Sequence, residues 1–233
     1  MVVTRLWQAL ALVAIMGSSA VCAPGAAAKD SLDLRRQPEI QGDASAGARK
    51  ATDCGVCHGP QGNAPIAEFP SIAGQSATYL YLQLRAYQDG TRPNEVMRLL
   101  VEPLSDQDLK DLSAYYASLA AARSTAAVEG NSDAGRQLFA LGNAPAGIPP
   151  CQGCHGVAGK GIVAPPARST TNWHTFPRLA GQQPQYVIAE LNAYRSRTRA
   201  DSRSDRIMQG VAQNLDDSAM QDIAAYLSQL TKD

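Results

Sequence analysis

The sequence predicts an all-α protein made of two tandem copies of one small domain, and three observations carry that prediction. Two pentapeptides of the form C-x-x-C-H, Cys54-Gly55-Val56-Cys57-His58 and Cys151-Gln152-Gly153-Cys154-His155, stand 97 residues apart. The chain around them repeats: Phe69-Pro70-Ser71-Ile72-Ala73-Gly74-Gln75 matches Phe176-Pro177-Arg178-Leu179-Ala180-Gly181-Gln182. At the same offset of 107, Tyr79, Leu84, Ala86, Tyr87, Thr91 and Arg92 match Tyr186, Leu191, Ala193, Tyr194, Thr198 and Arg199. Last, apolar residues recur at helical spacing behind residues suited to cap a helix.

The elements follow in order. Arg5, the apolar stretch Leu6–Val21 and the small residues after it predict a secretory signal peptide over residues 1–28, cut after Ala23 or after Ala28. A retained membrane anchor is the alternative, but the stretch is shorter than the ~20 apolar residues a span needs. Either cut removes Cys22, and Val21 before it does not suit a lipid-modified cysteine. The first copy, residues 40–122, opens with a short helix near Ala44 and continues through the pentapeptide and the Gly/Pro-rich loop Gly59–Pro70. A middle helix over Tyr79–Gln88 follows. Ser105 then caps a last helix, with Asp108 three residues on and Leu109, Leu112, Tyr115, Tyr116 and Leu119 on one face. The Ala-rich stretch Ala120–Ser132 holds the linker, residues 123–132. The second copy, 133–233, repeats the plan with a helix near Asp133, a middle helix over Tyr186–Arg195 and a last helix opened by Asp216. Relative to the first copy it gains 9 residues before the pentapeptide, 10 after it and 4 further on, as loops on a duplicated domain do.

The pentapeptides carry the chemistry. Two thiols three residues apart reach the two vinyl groups of one porphyrin, and the following His is swung beneath the ring to ligate iron, so Cys54, Cys57, His58, Cys151, Cys154 and His155 predict two covalently bound haem c groups. A four-thiolate zinc site also uses paired C-x-x-C, but leaves the repeated His unexplained. Disulfides would close loops too short to be useful staples. A domain of roughly 80 residues with long loops buries little by itself, so the haem-free chain is expected to fold poorly.

Each iron then needs a distal partner. Beyond the leader the methionines are Met97, Met208 and Met220. Met97 stands seven residues before Leu104 and Met208 seven before the matching Leu215, which points to sulfur ligation at the same place in both copies. Met220 matches Leu109 and reads as core. The metal set is therefore His58, Met97, His155 and Met208. Thioether sulfur favours ferrous iron and, with His, fills both axial positions; a closed iron carries electrons and leaves no site for a substrate, so no catalytic residue is assigned.

The duplicated C-x-x-C-H, F-P-x-[IL]-A-G-Q and M-x6-L segments, spread over nearly the whole mature length, resemble dihaem cytochrome c4. The resemblance implies two class I cytochrome c domains related by pseudo-twofold symmetry, with haem propionates facing each other near the interface. It implies electron transfer in the bacterial periplasm between respiratory-chain partners, a membrane quinol-oxidising complex or a terminal oxidase, with peripheral membrane association. It also implies that a Pro carbonyl accepts the N–H of each ligand His: Pro70 lies 12 residues after His58, and Pro177 takes that place after His155 once the insert is allowed for. Simple loop rigidity is the alternative role for both prolines.

His174, in an insert with no partner in the first copy, reads as an exposed loop residue. Arg195, Arg197, Arg199, Arg203 and Arg206, tempered by Asp201 and Asp205, read either as a solvated loop or as residues that pair with propionates or dock an acidic partner. Formal charge is balanced at 21 basic and 21 acidic side chains, which makes nucleic acid an unsuitable partner. The alternatives to a carrier are a dihaem enzyme of peroxidase or thiosulfate-oxidising type, which would need an open iron, and a fixed electron-transfer subunit of a larger oxidoreductase.

Overall fold

Capping residues set the frame, because a side-chain oxygen at a helix start accepts backbone N–H groups that the helix itself leaves unpaired. The computed structural model describes residues 38–162, 169–200 and 204–231; the leader (1–28), Asp201 and Arg203 lie outside them. Among the described residues there are ten α-helices and no strand. The first copy contains α1 (Ala44–Lys50), α2 (Thr52–His58), α3 (Ala77–Gln88), α4 (Glu95–Val101) and α5 (Asp106–Ser118). The second contains α6 (Ser132–Leu141), α7 (Gln152–His155), α8 (Pro184–Arg195), α9 (Asp205–Ala212) and α10 (Asp217–Ser228). Ser105 forms the expected reciprocal capping box with Asp108, and Asp216 accepts from the Ala219 N–H at 2.8 Å. The middle helices start two residues earlier than predicted, with Pro184 at the first turn of α8, where a missing N–H costs nothing. Two short helices, α4 and α9, were not anticipated; they carry Met97 and Met208.

In each copy the first and last helices cross at a glycine, α1 with α5 and α6 with α10. A Cβ on Gly47 would lie 2.1 Å from the Asp111 carbonyl oxygen, and one on Gly135 would lie 1.9 Å from that of Asp222. The same two aspartates bind the opposite helix by its start. Asp111 accepts the Asp43 N–H at 2.9 Å and Asp222 accepts the Asn131 N–H at 2.6 Å. The middle helix packs against the last helix of each copy. The second core gathers Phe139, Val187, Leu191, Met220, Ile223 and Leu227; the first gathers Ala51, Leu80, Leu112 and Tyr116. Met220 and its counterpart Leu109 are both fully buried, as expected of core residues.

The joining stretch is not a loose tether. The Ala122 N–H bonds Asn63 in the first copy, while Ser124 bonds the Ser228 carbonyl and the Gln183 side chain in the second. Both copies lie within one compact unit, Ser31–Asp233. No helix among the described residues is long and apolar enough to cross a membrane.

Candidate functional site

Each pentapeptide ends its helix on the His. Gly59 and Gly156 follow with φ of 80° and 77°, turning the chain sharply. A Cβ there would strike the Asn63 and Gly161 carbonyl oxygens, so the turn requires glycine. The imidazoles of His58 and His155 are held inside, 8% and 7% exposed. His58 Nδ1 lies 2.9 Å from the Pro70 carbonyl, and His155 Nδ1 lies 2.9 Å from the Pro177 carbonyl. A carbonyl only accepts, so Nδ1 carries the proton and Nε2 presents its lone pair in both copies. The prolines thus have the carbonyl role, not loop rigidity alone. Burial pushes both imidazoles below the usual histidine range, against a smaller opposing pull from the carbonyl, and keeps them in the neutral form that ligates metal.

None of Cys54, Cys57, Cys151 and Cys154 is in a disulfide. Burial pushes the Cys151 thiol up to about 11 and raises Cys54 and Cys154 as well. Among the described residues no group of three or more His, Cys, Asp or Glu side chains is assembled to hold an ion, so the two C-x-x-C pairs do not converge on a zinc centre. Met97 is the third residue of α4, its N–H capped by Asn94 at 2.9 Å, and is half-buried. Met208 is half-buried on α9, packed against the second core together with Cys151. Between the segment before Cys151 and the one after Met208 runs an open apolar cleft of about 470 Å³, lined by Leu141, Ile148, Pro149, Pro150, Gly210 and Val211. Two free thiols, a neutral imidazole with its Nε2 available and an apolar wall fit a covalently attached porphyrin. When bound, that group supplies a one-electron iron couple.

The seam between the copies is polar, buried and reciprocal. Gln75 donates to the Arg178 carbonyl (2.8 Å) and accepts from the Arg178 N–H (2.9 Å). Gln182 donates to the Ser71 carbonyl (3.0 Å) and accepts from the Ser71 N–H (2.8 Å). Gln75 and Gln182 are equivalent in the repeat, as are Ser71 and Arg178, so each copy gives the other what it receives; that is the signature of a twofold axis. Arg92 and Arg199, also equivalent, are 5% and 4% exposed and cross the seam in opposite directions. Arg92 bonds Gln83 at 2.7 Å in its own copy, then Glu190 at 2.7 Å and Tyr186 at 3.2 Å in the other. Arg199 bonds Glu190 in its own copy, then Gln83 at 2.7 Å and Tyr79 at 3.3 Å in the other. Each guanidinium lies 4.7 Å from the ring centre of its own copy's Tyr87 or Tyr194.

One sequence reading is corrected here. Arg199 is not part of a solvated loop: its guanidinium is inside the seam, because a carboxylate, an amide, a hydroxyl and an aromatic face compensate its loss of water. Arg195 bonds Asp217 and the Leu215 carbonyl, and Arg206 is exposed. His174 is exposed as expected, but its carbonyl accepts from Ser76 Oγ of the first copy, so the insert reaches across the seam. Gln75, Gln182, Gln83 and Glu190 had no role assigned from sequence. The recurrence of most of these polar positions at one offset was the available signal.

The cytochrome c family model matches residues 44–120 and again 132–231. Cytochrome c4 of Pseudomonas aeruginosa is 39% identical over 86% of this chain and 94% of its own. The crystal structure of reduced recombinant cytochrome c4 from Pseudomonas stutzeri superposes with a TM-score of 0.70 at 32% identity, covering 82% of this chain and all of that one. A "thiosulfate dehydrogenase electron acceptor" of Stutzerimonas stutzeri is 34% identical over 76% of this chain and 79% of its own.

Proposed function

The chain belongs to the dihaem cytochrome c4 family, one cytochrome c module in each half and two covalently bound haem c groups, and from that premise we propose that it shuttles electrons between respiratory partners in the periplasm with both irons closed by His and Met. His58 and Met97 are the axial pair in the first domain, residues 40–122, and His155 and Met208 in the second, 133–233. The observation that carries this reading is the matched placement of the two methionines, half-buried on short helices at the same point of each copy. A site closed on both faces changes charge with little movement and admits no substrate, which is what a carrier needs.

A reductive titration of the purified holoprotein with optical detection tests it. Two redox components, both with the far-red methionine–iron band, are expected, and reduced protein should bind almost no carbon monoxide. Extensive carbon monoxide binding by the native protein would sink the carrier reading and favour an enzyme. Met208→Ala should abolish the far-red band of one haem and open that haem alone to carbon monoxide.

The acceptor is proposed to be a terminal oxidase, a four-electron consumer that a two-electron carrier serves in fewer encounters. On the donor side, the likeness to a thiosulfate dehydrogenase's electron acceptor favours a second reading, in which a sulfur-oxidising enzyme rather than a quinol-oxidising complex loads the haems. Stopped-flow reduction by each donor separates the two.

A further inference from the structure

Around the two buried arginines the axis is symmetric in every side chain described above except one pair. Tyr79 matches Tyr186, Tyr87 matches Tyr194 and Arg92 matches Arg199, but neutral Gln83 stands where the second copy has Glu190. The geometry points to Glu190 as a residue that sets the reduction potentials of both haems, a fixed negative charge held on the pseudo-twofold axis by one arginine from each domain. The inference rests on the dihaem carrier reading above.

The carboxylate is shared between domains: Oε1 accepts from Arg92 at 2.7 Å and Oε2 accepts from Arg199. Burial pushes Glu190 up, but the two guanidiniums outweigh it and hold the group below the ordinary carboxylate range. It therefore stays charged. The hydroxyls around it stay neutral, since burial pushes Tyr87 up to about 12 and raises Tyr186 and Tyr194 further. A charge partly withdrawn from water is screened less than one at the surface and acts over a longer distance. Oxidised iron carries one more positive charge than reduced iron, so a half-buried carboxylate favours the oxidised state of a haem that feels its field. Bonded to an arginine of each domain, it would act on the couples of both.

The molecule contains its own control for shape. The Gln83 amide oxygen accepts from Arg92 at 2.7 Å and from Arg199 at 2.7 Å. An amide at this axis thus satisfies the same two donors, and Glu190→Gln changes charge with little change of contact. Gln83→Glu does the converse and places a second carboxylate between the same two guanidiniums. A structural role would move both variants in one direction, through loosened packing; an electrostatic role moves them oppositely.

Redox titration of the full holoprotein decides it, at low and high salt. Glu190→Gln should raise both midpoint potentials, Gln83→Glu should lower both, and the double exchange should return near the starting values, with the shifts surviving high salt. The inference is overturned if the two single variants shift in the same direction, or if either leaves the potentials unmoved while the optical spectrum still counts two methionine-capped haems. Loss of that spectral signature in the unaltered protein would instead overturn the carrier reading. If Glu190→Gln does not fold, the sign of the Gln83→Glu shift alone gives the answer.

Discussion

Alanine at Gly135 is expected to cost the second domain about 3 kcal/mol or more, the upper range for overpacking a tight core contact. The added methyl would stand 1.9 Å from the Asp222 carbonyl oxygen and 2.4 Å from its carbon, both backbone atoms of the middle of α10. A side chain could rotate away; a helix backbone cannot. The only relief is for α6 and α10 to separate, and separation also breaks the Asn131 N–H bond to the Asp222 carboxylate and uncovers Phe139 and Ile223. Gly47→Ala should act in the same way on the first domain, where the Asp111 oxygen is 2.1 Å from the added carbon. Denaturant unfolding of the holoprotein measures both. An unchanged midpoint for Gly135→Ala would show that the crossing has slack the geometry denies.

Gln75→Ala is expected to loosen the seam by roughly 3 kcal/mol, with Gln182→Ala close behind, because each orphans several buried backbone groups at once. The Gln75 amide oxygen accepts two N–H groups, from Ser76 in its own domain and Arg178 in the other, while its amide nitrogen satisfies the Arg178 carbonyl. Gln182 repeats the pattern with Gln183 and Ser71. Both side chains are buried, so water cannot replace the lost partners without opening the interface. The readout is cooperativity: the native protein should unfold as one unit and the variants in two separated steps, one per domain. Because the two glutamines serve one interface, the double variant should lose less than the sum of the singles. A single transition for both variants, at the native midpoint, would discard the latch.

Much of this was legible in the residue order. The capping box at Ser105, the cap at Asp216, the burial of Met220 and the His–Pro carbonyl pairs were all expected and are present. Each depends on residues close in sequence or on a spacing that one loop controls. The seam was read poorly. Hydrophobic periodicity finds burial through apolar side chains, and it has no means of marking Arg92, Arg199 or Gln182 as interior, since a lone arginine or glutamine reads as surface until its partners arrive. Arg199 stood in an arginine run beside Arg197, and only the fold distinguishes the buried one from its exposed neighbour. The anchors of the joining stretch, Asn63 and Gln183, are hidden for the same reason, each lying 59 residues from the group it bonds.

By itself the sequence determined that there are two copies, that each carries the two thiols and the histidine of a haem c attachment motif, and that a methionine recurs at one place in both, because these follow from short spacings repeated twice. Only the tertiary structure decided which faces of the copies meet and that Glu190 sits between arginines of both domains. Residues equivalent in a repeat can bond within a copy or across to the other one. The choice belongs to the rotation axis relating the copies in space, and chain order carries no record of that axis.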